Sequence, residues 1–142
     1  TAFIMADLRE PKSILDHPTL TETLDLSRPV AVLVVAVLMY FRDSDHPNPF
    51  EMVATLLEPM PSGSYVAITH PTPDFNPEAT AMAVAEQAGI TLVPRSQGEI
   101  ERFFTGLEVV DPGVVPVLAW RPEEPPADPR SAYYWAGIAR KP

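Results

Sequence analysis

Three places in the chain put ligand-binding or reactive side chains directly after an apolar stretch. At Asp7-Leu8, a carboxylate can accept a hydrogen bond from an adenine amino group while the following backbone N–H donates to a ring nitrogen. Together the two would select adenine. Asp is also a common turn residue, so Asp7 can equally cap a turn or the helix that follows. At Val37-Leu38-Met39-Tyr40, leading to Asp43, the end of a long apolar run can form the floor and wall of a cofactor pocket. Val32 to Ala36, inside that run, read as core packing. At His70-Pro71-Thr72-Pro73-Asp74-Phe75, a His and an Asp four apart can act as an acid–base pair, or serve only as turn chemistry leading into a helix. Ligands of open α/β sheets sit beyond the carboxyl ends of the strands, which is where all three sets fall.

Other chemistries find little support. There is no Gly-rich phosphate loop, no Gly-x-Ser-x-Gly elbow and no His-Glu-x-x-His pair. His17, His46 and His70 are too widely spread to form a local metal motif. With no Cys, the chain has neither a thiolate metal site nor a disulfide framework. Glu123-Glu124 reads as part of a solvated loop.

The elements that position these residues follow from patterning. Thr1 to Ala6 reads as a strand running into the loop at Asp7. Ser13 to Leu24 reads as two short helical pieces broken by Pro18. Val30 to Leu38 is continuously apolar and rich in β-branched residues, so it reads as a fully buried strand covered on both faces. Asn48 or Pro49 starts a helix with Phe50, Val53, Leu56 and Leu57 on one side. Tyr65 to Thr69 is the next strand. Asn76-Pro77-Glu78 starts a helix that runs to about Ala88, with a capping Asn, Pro at the first helical position and an early acid. Ile90 to Val93 is a short extended piece. Ser96 and Glu99 form a capping box for a helix ending near Phe104. Leu107 to Val110 and Val114 to Trp120 are extended, Arg121 to Arg130 is a Pro-rich loop, and Tyr133 to Arg140 is a final strand. Early alternation followed by paired strands predicts an α/β sheet, mostly parallel with an antiparallel edge.

Length and composition are compatible with one such unit. The chain has 142 residues, 46% of them apolar, and carries a formal net charge of −9. An acidic surface repels phosphates, which disfavours nucleic-acid binding but leaves room for a small ligand in a local pocket. The longest apolar run, Val30 to Phe41, falls well short of the ~20 residues a membrane helix needs, so no membrane partner is expected. The chain opens at Thr1 in a segment that already reads as a strand, and residues upstream are expected.

Several longer phrases point further: Ala6-Asp7-Leu8-Arg9-Glu10-Pro11, Asp25-Leu26-Ser27-Arg28-Pro29-Val30-Ala31-Val32-Leu33, Asp74-Phe75-Asn76-Pro77-Glu78, Arg102-Phe103-Phe104-x-Gly106-Leu107-Glu108, Pro112-Gly113-Val114-Val115-Pro116 and Ala139-Arg140-Lys141-Pro142. In these phrases, spread over the whole chain, it resembles a bacterial family of S-adenosylmethionine-dependent methyltransferases long catalogued as a domain of unknown function. The resemblance implies the class I methyltransferase fold, a Rossmann-like doubly wound α/β sheet in strand order 3-2-1-4-5-7-6 whose last strand is antiparallel. On that map residues 1–142 cover strands 3 to 7, the C-terminal half of one methyltransferase domain. The N-terminal half, with its Gly-rich cofactor loop and ribose-binding acid, is absent. The edge of strand 4 at Val30 to Leu38 would then be unpaired, which is an aggregation hazard. A longer native protein, or a second chain, is expected to supply the missing half.

The resemblance also implies S-adenosylmethionine as cofactor, S-adenosylhomocysteine as product, a small-molecule acceptor and a cytoplasmic location. Asp7 matches the family's adenine-contacting acid and Leu8 the backbone contact beside it. Val37 and Leu38 match the strand-4 motif whose end lines the cofactor, with Met39 next to them. Members often carry His where this chain has Met39, so an acid–base role there does not carry over. Tyr40, His70 and Phe75 are the candidate substrate-facing residues. A rival reading is a non-catalytic S-adenosylmethionine-binding or regulatory protein on the same fold. On either reading the fragment alone is expected to be inactive.

Overall fold

A computed structural model of the chain describes residues 1–75 and 88–142. The elements are α1 (Pro11–Leu15), α2 (Pro18–Thr23), β1 (Ala31–Val35), α3 (Pro49–Leu57), β2 (Tyr65–Pro71), α4 (Gln97–Glu101), β3 (Glu108–Val109), β4 (Val115–Pro116) and β5 (Tyr134–Arg140). Single 3-10 turns stand at Leu38–Tyr40, Arg102–Phe104 and Val117–Ala119. The helix expected from Asn76 falls on 76–87 and lies outside the described residues.

Local chemistry sets the helix starts. Asn48 accepts from the Glu51 backbone while the Glu51 carboxylate accepts from the Asn48 N–H, a complete capping box that satisfies two otherwise orphaned donors of α3. Ser96 and Glu99 form the same box on α4. The two short helical pieces expected around Pro18 are α1 and α2, and Pro18 opens the second: a proline costs little at the first helical position, and the His17 ring accepts from the Thr19 N–H. The C-terminal end of α3 is closed from far along the chain. Lys141 donates its ammonium to the Leu57 and Glu58 carbonyls, at 2.9 and 2.8 Å.

The sheet runs in the order β1-β2-β5-β3, with β4 pairing β5 as well. β1 and β2 are parallel, from Ala31 opposite Tyr65 to Val35 opposite Thr69, and β5 runs antiparallel to β2. This reproduces the 4-5-7-6 stretch of the expected class I sheet, including the reversed strand. Period-two alternation puts Val34, Val66, Ile68, Trp135 and Ala139 on one face. There they pack against Val53 and Leu57 of α3 and against Ile100, Phe103 and Phe104. Gly137 lies in the middle of β5 where only a glycine fits, since an added Cβ would come within 2.8 Å of the Phe104 ring.

Several expectations need correcting. The strand expected over Val30 to Leu38 ends at Val35 and is not fully buried: Leu33 is 68% exposed and Val35 56%. β1 is the edge of the sheet, and among the described residues only one of its faces is covered. Thr1 to Ala6 is not in a strand; Phe3 and Met5 are exposed, and without a neighbouring strand the backbone makes no ladder. Of Val114 to Trp120 only Val115–Pro116 joins the sheet, because Pro116 has no N–H to continue the ladder and the chain then winds into a 3-10 turn. Among the described residues, no helix is long and apolar enough to cross a membrane.

Candidate functional site

The chain leaves β1 abruptly. Ala36 sits in the left-handed region at φ 50, and its N–H donates to both the carbonyl and the hydroxyl oxygen of Thr69 on β2. A left-handed alanine costs about 1 kcal/mol relative to ordinary backbone, and such residues persist where the surroundings hold them in place. The next residues, Val37 to Phe41, therefore swing across the carboxyl ends of β1 and β2 instead of extending the strand.

This turn is held from beneath by residues 93–95. The Val93 N–H donates to the Met39 carbonyl at 2.7 Å, and the Arg95 N–H to the Pro71 carbonyl at 3.1 Å. The Arg95 guanidinium is buried, with its residue only 1% exposed. One terminal nitrogen donates to the Leu38 carbonyl at 3.2 Å and meets His70 Nε2 at 2.8 Å. The other donates to the Phe41 carbonyl at 2.9 Å and to Asp43 Oδ1 at 2.6 Å. The rings of Phe50 and Phe103, stacked at 4.2 Å, flank the guanidinium, whose carbon lies 5.8 and 5.7 Å from their centroids.

His70 belongs to this cluster and not to an open pocket. Its side chain is completely buried. Arginine can only donate, so Nε2 must be the acceptor and Nδ1 must carry the proton, which it gives to the Pro71 carbonyl at 2.9 Å. Burial pushes the imidazole pKa down to about 4, and the neighbouring Arg95 charge adds to the shift while the hydrogen bond to Pro71 opposes it. The substrate-facing role expected for His70 is thus corrected: both ring nitrogens are engaged and no surface is offered to a ligand. The expected His70–Asp74 pair does not form either. Asp74 instead accepts from the Trp135 indole and from the Gln97 N–H at the start of α4, both at 2.9 Å.

The other expected residues fall into two groups. Leu38 is buried in the core with its carbonyl held by Arg95, so its side chain cannot line a ligand. Val37 packs against the core, Met39 is half-buried with its sulfur 3.9 Å from the Tyr134 hydroxyl, and Tyr40 is 50% exposed. Phe75 meets Trp135 in a tilted contact, centroids 4.6 Å apart at 59°, and lies under the Arg130 guanidinium. Asp7 is exposed. Its carboxylate accepts from the Arg9 N–H and guanidinium, and this pairing holds its pKa down to about 2. The turn-capping behaviour of Asp7 is therefore present in the structure. Leu8 packs against the core.

Arg95 is the residue that sequence reasoning misses. The only local signal is a lone charge between an apolar extended segment and a helix cap, which is easily read as solvated.

Comparison with known proteins follows the same lines. The model of a family described as S-adenosyl methyltransferase matches residues 1–142. The crystal structure of a DUF574 family protein from Streptomyces avermitilis is 37% identical with a TM-score of 0.88, covering 100% of this chain and 55% of that one. The structure of a candidate methyltransferase from Thermobifida fusca is 33% identical with a TM-score of 0.83, covering 97% of this chain and 53% of that one. This chain therefore spans about half the length of both relatives. An O-methyltransferase family protein from Burkholderia thailandensis, 13% identical with a TM-score of 0.58, shares the fold. No curated protein sequence matches the chain.

Proposed function

The chain belongs to the S-adenosyl methyltransferase family, and on that premise we propose that it is the C-terminal half of an S-adenosylmethionine-dependent methyltransferase domain acting on a small molecule in the cytoplasm. The observation that carries the reading is the turn Ala36 to Asp43. It is a strained, tightly anchored backbone segment at the carboxyl end of β1, where a doubly wound sheet holds its ligand, and it presents a half-buried thioether and an exposed phenol.

The residues fit one side of such a cofactor. Asp7 supplies an ionised acceptor for the adenine amino group, the Leu8 backbone donates beside it, and Val37 and Met39 offer an apolar wall. Asp7 already takes two contacts from Arg9 on each oxygen, so the adenine amino group would replace one of them. S-adenosylmethionine, when bound, supplies a methyl group activated by its positive sulfur. The task left to the protein is to align donor and acceptor and to exclude water. Tyr40 and Phe75 are the proposed acceptor contacts. The Gly-rich loop and the ribose-binding acid would come from the N-terminal half, in a longer native protein or a second chain, and the fragment alone would be inactive.

One observation favours a rival, a non-catalytic S-adenosylmethionine-binding protein. Met39 cannot act as a base and His70 is sealed in the core. The two readings separate in the full-length protein, incubated with radiolabelled S-adenosylmethionine and a panel of hydroxyl, amine and carboxyl acceptors. Label transfer to any acceptor supports the enzyme. Cofactor binding without transfer across the panel supports the rival.

A further inference from the structure

A buried guanidinium needs a reason. Taking a charge out of water is costly, and apolar residues of similar volume often fill such a space with equal or greater stability. Packed against Phe50 and Phe103, this site would suit a Met or Leu. Arg95 Nε also finds no acceptor among the described residues, a further cost of keeping an arginine here. What a guanidinium adds is a planar fork of donors in fixed directions. Three of the four groups it meets, the Leu38 carbonyl, the Phe41 carbonyl and the Asp43 carboxylate, belong to the turn after β1. The fourth, His70, anchors the fork to the end of β2 and is held in the one tautomer that can accept. Val93 takes a third carbonyl of the stretch, that of Met39. With the carbonyls of Leu38, Met39 and Phe41 all bound, the backbone that carries the side chains of Met39 and Tyr40 is held at three points. Arg102 supports the same arrangement: it stacks on Phe50 at 4.3 Å and lies 4.0 Å from the second oxygen of Asp43.

We infer that Arg95 is a positioning residue for the cofactor- and acceptor-facing turn. It ties Leu38, Phe41 and Asp43 to His70 so that Met39 and Tyr40 present a preformed wall to the ligand. The inference rests on the proposed S-adenosylmethionine site for what the turn positions, and on geometry alone for the clamp itself. A purely structural role would make Arg95 matter to the whole fold. A positioning role makes it matter to the turn and to ligand affinity.

The test uses the full-length protein with Arg95→Lys, which keeps the charge but not the fork, and Asp43→Ala, which removes the half-exposed acceptor at the end of the clamp. Amide hydrogen exchange and titration with S-adenosylhomocysteine are read together. Faster exchange confined to 38–43, unchanged protection of β2 and β5, and affinity weakened about tenfold for Arg95→Lys and by less for Asp43→Ala would support the inference; misplaced binding groups cost factors of this size or more. Native exchange at 38–43 in folded Arg95→Lys, or loss of protection across β2 and β5 in step with the turn, would overturn it. If Arg95→Lys does not fold, Asp43→Ala decides by the same two readouts. If the unaltered protein does not bind S-adenosylhomocysteine, the functional reading fails, and exchange at 38–43 alone decides whether the clamp stands.

Discussion

Arg95 and His70 meet at 2.8 Å in the core beneath the strand ends, a permanent cation directed at an imidazole that must remain neutral. The pairing is stable because Nε2 is an acceptor, and it would become a repulsion if that nitrogen gained a proton. A side chain that the sequence suggests as an acid–base group is thus a fixed part of the scaffold, and the proposed ligand-facing surface is the turn tied to it.

This relationship sets a pH dependence. The imidazole titrates at about 4 in the fold against about 6.5 when free, so between those values the unfolded chain binds more protons than the native one. The stability that His70 contributes is fully present above pH 6.5 and is lost as pH falls towards 4. The total is on the order of 3 kcal/mol, with a slope of at most about 1.4 kcal/mol per pH unit. Urea unfolding from pH 7.5 to 4.5 should show this slope, and His70→Gln, whose amide oxygen can still accept from Arg95, should lose it. An equal slope in the variant would place the titration elsewhere.

The left-handed backbone at Ala36 gives a second expectation. Ala36→Gly should be close to neutral, because relief of strain and added unfolded-state freedom offset each other to within about 0.5 kcal/mol. Ala36→Val should cost about 2 kcal/mol, since a β-branched residue resists this conformation. Chemical denaturation of both variants checks the difference.

Gly137 tests the packing of the last strand. Its added Cβ would lie 2.8 Å from Phe104 and 3.0 Å from Val114. Gly137→Ala should therefore destabilise the protein by about 1–3 kcal/mol, the usual cost of overpacking. A neutral result would mean that the Phe104 ring moves aside freely.

Much of the scaffold is legible in the residues, and the reasons are local. The Asn48–Glu51 and Ser96–Glu99 capping boxes each sit within four residues and can be read directly. The β-branched runs of β1 and β2 and the reversed β5 follow from patterning and resemblance. The end of β1 cannot be read that way, because Ala36 and Val37 are as apolar as the strand, and the turn is imposed by Thr69 on another strand. Arg95 is hidden for the same reason. Its partners lie 25 to 57 residues away, and nothing near it in sequence marks it as buried. His70 looks reactive by type and neighbours, and only its packing shows that both nitrogens are engaged.

The exposed face of β1 bears on the half-domain proposal. Leu33→Lys should leave residues 1–142 no less stable, since Leu33 is mostly exposed there, and should reduce self-association. In the full-length protein the same change should cost about 2 kcal/mol, because the proposed N-terminal half would cover that side chain. Thermal unfolding and light scattering on both proteins check the contrast, and equal effects in the two would argue against a covering half.

The central claim is that this chain supplies half of an S-adenosylmethionine site. The most direct measurement is calorimetric titration of S-adenosylhomocysteine into the full-length protein and, side by side, into residues 1–142. Saturable one-site binding to the full-length protein, with no binding to the shorter chain, is the predicted result. A folded full-length protein that takes up no ligand, or a short chain that binds as tightly as the whole, would contradict it.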